Sequence, residues 1–118
     1  MVLFCSVVAH GSASPVRGAS PEVSIGSKTF TESVILGDVV AHLVENTRAR
    51  PVHKRALGGT RLVWDALVKG YIDIYPEYTG TISEEILARK GIRGDDAIRK
   101  ALAGYGIRMT ASLGFNNN

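Results

Sequence analysis

"GGTRLVWDALVKGYIDIYPEYTGT", residues Gly58–Thr81, is the stretch on which the fold turns. Leu62, Val63, Trp64, Ala66 and Leu67 recur at helical spacing after the Gly58-Gly59 turn, with Thr60 placed as N-cap. Gly70 stands where a left-handed C-terminal cap belongs. Ile72, Asp73, Ile74 and Tyr75 then read as a strand, which Pro76 stops because it has no N–H to give a ladder. Thr81 with Glu84 has the capping-box spacing and predicts a short helix through Leu87, ended by Gly91.

The flanking segments repeat this alternation. Upstream, Val23-Ser24-Ile25 is a short β-branched strand closed by Gly26 and Ser27. Thr29 and Glu32 form a second capping-box pattern, predicting a helix over Thr31–Asn46. Its Ile35, Val39 and Leu43 recur at fours beside Leu36, Val40 and Val44, a stripe wide enough to predict cover on much of the circumference. Pro51–Arg55 is a weaker strand candidate. Downstream, Asp95 is placed to cap a helix bearing Ile98, Ala101, Leu102 and Tyr105, Gly106 follows it, and Ile107–Met109 is a final strand. Strands alternating with helices predict an α/β lobe built on a parallel sheet with helices on both faces. Ligands of such sheets bind outside the carboxyl ends of the strands. Those ends are "GSKTFTE", "ALGGT" and "YPEYTGT", each entering a helix through threonine.

Composition sets the broad class. With 118 residues the chain is at most one domain, and 45% hydrophobic with 21% charged residues is soluble globular composition rather than disorder. The net charge of +3 comes from lysines and arginines scattered along the chain, so no nucleic-acid partner is expected. "MVLFCSVVA" followed by the small residues of "HGSASPVRGAS" resembles the hydrophobic region and cleavage zone of a secretory signal. Residues 1–20 are therefore expected to be a leader and linker, residues 21–118 the folded lobe, and the location periplasmic or otherwise extracytoplasmic. The one cysteine, Cys5, falls in that leader, which excludes a disulfide framework or thiol nucleophile from the mature lobe.

Signs of catalysis are sparse. Neither phosphate-binding glycine fingerprint is present, and "GGT" alone is a weak signal. His42 falls mid-helix and His53 in a strand, without metal spacing, and no serine has a nucleophile-elbow context. Asp73 and Glu77 bracket the third strand's end as a possible carboxylate pair. No enzyme, metal or cofactor is expected. Thr29, Thr60 and Thr81 read singly as helix caps, yet together they set three helix N-termini on one rim, suited to a carboxylate. Tyr71, Tyr75 and Tyr78 cluster at the third strand, and tyrosine faces attract poorly hydrated cations such as quaternary ammonium groups. Tyr75 is expected in the core, Tyr71 at the strand start and Tyr78 facing the cleft.

"VSIGSKTFTESVILGDVVAHLVE", "ALGGTRLVWDALVKGYIDIYPEYTGTISEEIL" and "LGFNNN" resemble the substrate-binding proteins of osmoprotectant ABC importers, from about Val23 to Asn117. The resemblance implies half of a two-lobe periplasmic-binding-protein fold, which holds glycine betaine, choline, carnitine or a similar solute in an aromatic cage and presents it to a membrane permease. It places Tyr78 in the cage, and Thr60, Thr79 and Thr81 on the cleft rim. Thr29 and Ser33 fall on the loop and helix start, where many relatives carry glutamine in place of Ser33. Relatives continue past "GFNN" into a second lobe, so the resemblance further implies an incomplete first lobe, weak or inactive alone, or a self-associating structural remnant.

Overall fold

The computed structural model describes residues 2–7, through their backbone, and 20–114. The elements in chain order are β1 (Val2–Val7), β2 (Glu22–Gly26), α1 (Thr31–Glu45), β3 (Arg50–Lys54), α2 (Thr60–Val68) and β4 (Ile74–Tyr78). There follow α3 (Thr79–Thr81), a π turn over Ile82–Ile86, a 3₁₀ turn over Ala88–Lys90, α4 (Asp95–Ala103) and β5 (Ile107–Met109). The sheet runs β3-β2-β4-β1-β5. β2 is parallel to β3 and β4, as the alternating order predicts, whereas β1 lies antiparallel between β4 and β5. The expected α/β lobe is thus present, with one antiparallel strand in its sheet.

Successive strand residues point to opposite faces, and both faces of this sheet are covered. Ile74 packs with Ile25 and Val40 under α1. Its neighbour Tyr75 is fully buried on the other side among Trp64 and Leu67 of α2, Ile98 and Leu102 of α4, and Ile107 of β5. Tyr75 therefore fills core as expected. Tyr71 stays exposed, and Tyr105 packs edge-on to Trp64 with ring centroids 5.3 Å apart.

Several local expectations are corrected. Pro76 does not end the strand but sits inside β4. The β2 ladder onto β4 consists of the single pairing Ile25↔Ile74, so nothing on that side requires an N–H from Pro76. Among the described residues, no α-helix starts with a side-chain cap bond: Phe30, Gly59, Tyr78 and Gly94 hold the N-cap positions. Thr60 and Asp95 are first helical residues instead, because extended Gly59 and positive-φ Gly94 (φ 87°) take the turn before them. Thr29 precedes the cap and gives its N–H to the Gly58 carbonyl at 3.0 Å. The α1 stripe is narrower than predicted: Val40 is buried while Ile35, Val39 and Leu43 are exposed. His42 is likewise at the surface, beside Glu45.

α1 approaches β3 at Gly37, where an added Cβ would lie 2.3 Å from His53 Nε2. The next residue, Asp38, accepts from His53 Nδ1 at 2.9 Å and from Arg55 Nη1 at 2.9 Å. The helix is thereby pinned to the strand by packing and by charge. Gly37→Ala is expected to destabilise by about 1–3 kcal/mol through overpacking, although alanine gains up to about 1 kcal/mol in helix propensity. Urea denaturation of both chains decides the sign, and a stabilised variant would place His53 elsewhere.

Candidate functional site

Three loops leave the carboxyl ends of β2, β3 and β4 on one rim, and the cleft they enclose measures about 500 Å³. The junction of β2 with α1 supplies Lys28, Phe30, Glu32 and Ser33; that of β3 with α2, Gly59 and Thr60; and that of β4 with α3, Glu77, Tyr78 and Thr81, with Glu85 in the π turn beyond.

Lys28 and Glu77 make the floor. Lys28 Nζ donates to Glu77 Oε1 at 2.8 Å, with side-chain exposures of 8% and 0%. The same ammonium reaches Thr60 Oγ1 at 3.4 Å, and Glu77 Oε1 also accepts the Tyr78 N–H at 3.0 Å. Burial raises the Glu77 pKa above the usual carboxylate value, outweighing the opposing pull of Lys28, the Tyr78 N–H and Tyr75. The loop backbone is fixed by Ser33, whose buried hydroxyl accepts the Lys28 N–H at 2.8 Å.

The rim is aromatic and acidic. Phe30 is 64% exposed, with its ring centroid 5.6 Å from Lys28 Nζ. The Tyr78 hydroxyl donates to Glu32 Oε1. Partial burial, then the Glu32 carboxylate, push this phenol up to about 12, so it stays protonated and donating. Three carboxylates, Glu32, Glu77 and Glu85, face the cleft against one ammonium, which leaves a negative field at the mouth. The arrangement suits a cation with apolar substituents, which aromatic faces accept and carboxylates attract.

Of the residues singled out in the sequence, Tyr78, Thr60, Thr81 and Ser33 line this cleft, while Thr29 and Thr79 do not. Asp73 and Glu77 do not meet, since Asp73 Oδ2 accepts the Ser24 N–H at 2.8 Å instead. Sequence reasoning missed Lys28, Phe30, Glu32 and Glu85. Lys28 and Glu32 had one available signal, a lysine and a glutamate at the same strand-to-helix junction that already carried the threonines.

Residues 21–118 match the family described as the substrate binding domain of ABC-type glycine betaine transport systems. The chain belongs to that family. Such substrate-binding domains serve transporters and are not enzymes. Among relatives of this glycine betaine-type domain, the glycine betaine-binding protein YehZ of Escherichia coli is 44% identical over 66 residues, which cover 56% of this chain and 21% of that protein. The ergothioneine transport permease/ergothioneine binding protein EgtU of Helicobacter pylori is 33% identical over 99 residues, covering 79% of this chain and 18% of that protein. The match thus spans about a fifth of the length of these curated relatives.

Two expectations concern the charges of this domain. Lys28→Met, which strands a buried carboxylate, is expected to cost about 3–5 kcal/mol, whereas Lys28→Met with Glu77→Leu recovers most of it. Equal losses in the single and double variants, measured in urea, would show that the pair does not act as a pair. The second is a pH profile. Glu77 binds its proton more tightly folded than unfolded, so its contribution to stability declines as pH rises from the ordinary carboxylate range through the raised value. Asp38 runs oppositely: His53 and then Arg55 lower its pKa, so its contribution is present above the ordinary range and lost as pH falls below it. Denaturation midpoints across the acid range are expected to lose the alkaline-side decline in Glu77→Gln and the acid-side loss in Asp38→Asn.

Proposed function

We propose that this chain is part of the solute-binding component of an ABC importer and that its cleft takes a quaternary-ammonium osmoprotectant such as glycine betaine, choline or carnitine. The observation that carries this is the pairing of two aromatic side chains that line the cleft, exposed Phe30 and half-buried Tyr78, with Glu32 and Glu85 around a volume of about 500 Å³. Glycine betaine and ergothioneine, named in the two relatives, share a trimethylammonium group and a carboxylate. The cation goes to the aromatic and acidic rim, where Tyr78 presents its ring. Thr60 and Thr81 hydroxyls beside Lys28 receive the carboxylate, with Ser33 holding the loop and Thr29 and Thr79 outside the contact. A membrane permease is the macromolecular partner. The location is extracytoplasmic, with residues 1–20 as the leader that directs export; amino-terminal sequencing of the chain recovered from its native compartment tests that reading, and an intact Met1 there would refute it.

Each exposed cation–π contact contributes about 0.5–1 kcal/mol, while millimolar affinity already requires roughly 4 kcal/mol. Binding by this chain alone is therefore expected at millimolar strength or weaker. Titration with glycine betaine, choline and carnitine, followed by NMR, should move the Phe30, Tyr78 and Thr60 signals, and Tyr78→Ala should abolish the shifts. Shifts confined to residues away from the cleft would overturn the assignment.

A second reading, self-association of this lobe, is favoured by the exposed row Ile35, Val39 and Leu43 at successive turns of α1. Two copies laid antiparallel along that row bury each other's apolar face. Light scattering at two concentrations should then show a dimer that Val39→Glu dissociates, and a monomer at both concentrations excludes this reading.

A further inference from the structure

Behind the cleft, three side chains from three elements join in one hydrogen-bonded chain. Asp38 of α1 accepts from His53 Nδ1 at 2.9 Å, and His53 Nε2 lies 2.9 Å from Ser27 Oγ at the end of β2. A carboxylate only accepts, so Nδ1 carries the proton, Nε2 offers a lone pair and the Ser27 hydroxyl donates to it. The order serine, histidine, aspartate is that of a hydrolase triad. Ser27 is 0% exposed, however, so no substrate carbonyl reaches its oxygen, and catalysis is excluded by burial.

What surrounds Ser27 is the frame of the cleft. Its Oγ accepts the Ala56 N–H at 3.3 Å, and Ala56 is the one non-glycine among the described residues with positive φ (49°). The Ser27 carbonyl accepts the Leu57 N–H at 2.9 Å, and the Ser27 N–H donates to the Lys54 carbonyl at 3.2 Å. The residue after it is Lys28, whose ammonium forms the cleft floor. Ser27 thus ties the corner after β3, held in an unfavourable backbone region, to the loop that carries Lys28 and Phe30.

We propose that Ser27, His53 and Asp38 act as positioning residues for the cleft: the proton order imposed by Asp38 directs the Ser27 hydroxyl, which locks the Ala56 corner and the Lys28 loop in register. The ligand role of that loop rests on the function proposed above, but the locking does not. Among the described residues, the charged groups touching the chain are Asp38 and Arg55, while the turn after β2 brings only the Ser27 hydroxyl.

Ring-nitrogen NMR of the unliganded chain labelled in histidine reads the proton order directly. The expected result is a neutral His53 ring with its proton on Nδ1, and a neutral ring carrying it on Nε2 overturns the proposal without any variant. Amide exchange then tests the locking. Ser27→Ala and His53→Gln should each speed exchange about tenfold at Leu57, Lys28 and Thr29, which the lost hydroxyl does not touch, relative to Ile98 and Leu102. Change at Ala56 alone, or uniform change across the chain, shows a structural hydrogen bond without positioning and overturns the proposal. Since every readout uses the unliganded chain, failure of solute binding leaves them intact and counts only against the functional reading.

Discussion

The buried pair of Lys28 and Glu77 is the constraint from which the site follows. β2 and β4 share one backbone pairing, so their carboxyl ends are joined less by the sheet than by this contact at 2.8 Å. A carboxylate with a fully buried side chain is tolerated only with a partner close by, so the first loop must lie over the end of β4. Once it does, Ser33 meets the Lys28 N–H, Glu32 comes within reach of the Tyr78 hydroxyl, and Phe30 is turned out to solvent. The pair is a weak source of net stability, since desolvation cancels much of its attraction, but it defines the geometry of the floor. It also neutralises that floor, leaving the charge of the mouth to Glu32 and Glu85.

Much of this was legible in the sequence where periodicity carries the information. The 3.6-residue spacing of α2 and α4, the β-branched run at β2 and the three strand-end loops all predicted elements that are present, and those loops do converge on one cleft. The failures share a cause. Thr29, Thr60, Thr81 and Asp95 have capping chemistry, but the chain enters its helices one or more residues away, through Phe30, Gly59, Tyr78 and Gly94. Pro76 is admitted to a strand because of what its neighbour strand lacks, and Lys28 finds Glu77 across 49 positions. These are tertiary facts, and local pattern does not contain them.

Two devices hold the same loop from opposite sides. Lys28 is gripped from within the cleft by an ion pair, and Ser27, one residue earlier, from behind by neutral hydrogen bonds. Charge in one and proton order in the other respond differently to their surroundings: salt and dielectric bear on the first, and tautomer on the second. Gly37 makes room for the second, because a residue without a side chain allows α1 close enough to β3 for Asp38 to reach His53.

The segment Val2–Val7 illustrates how one composition serves two readings, since an apolar run describes a leader and an interior strand equally well. In the chain that still carries this segment it is β1, which separates β4 from β5, and its pairing Val7↔Ile107 bridges nearly the whole chain; loss of the leader removes that strand from the sheet. In kinetic terms, β5 gains its place in the sheet only after the longest loop in the molecule has closed. Closure entropy rises slowly with loop length, but no local contact offsets it beforehand. The β2–α1–β3 and α2–β4 units, with short connections, are free to nucleate first, while the pairings of β1 with β4 and with β5, which join residues far apart in sequence, close later.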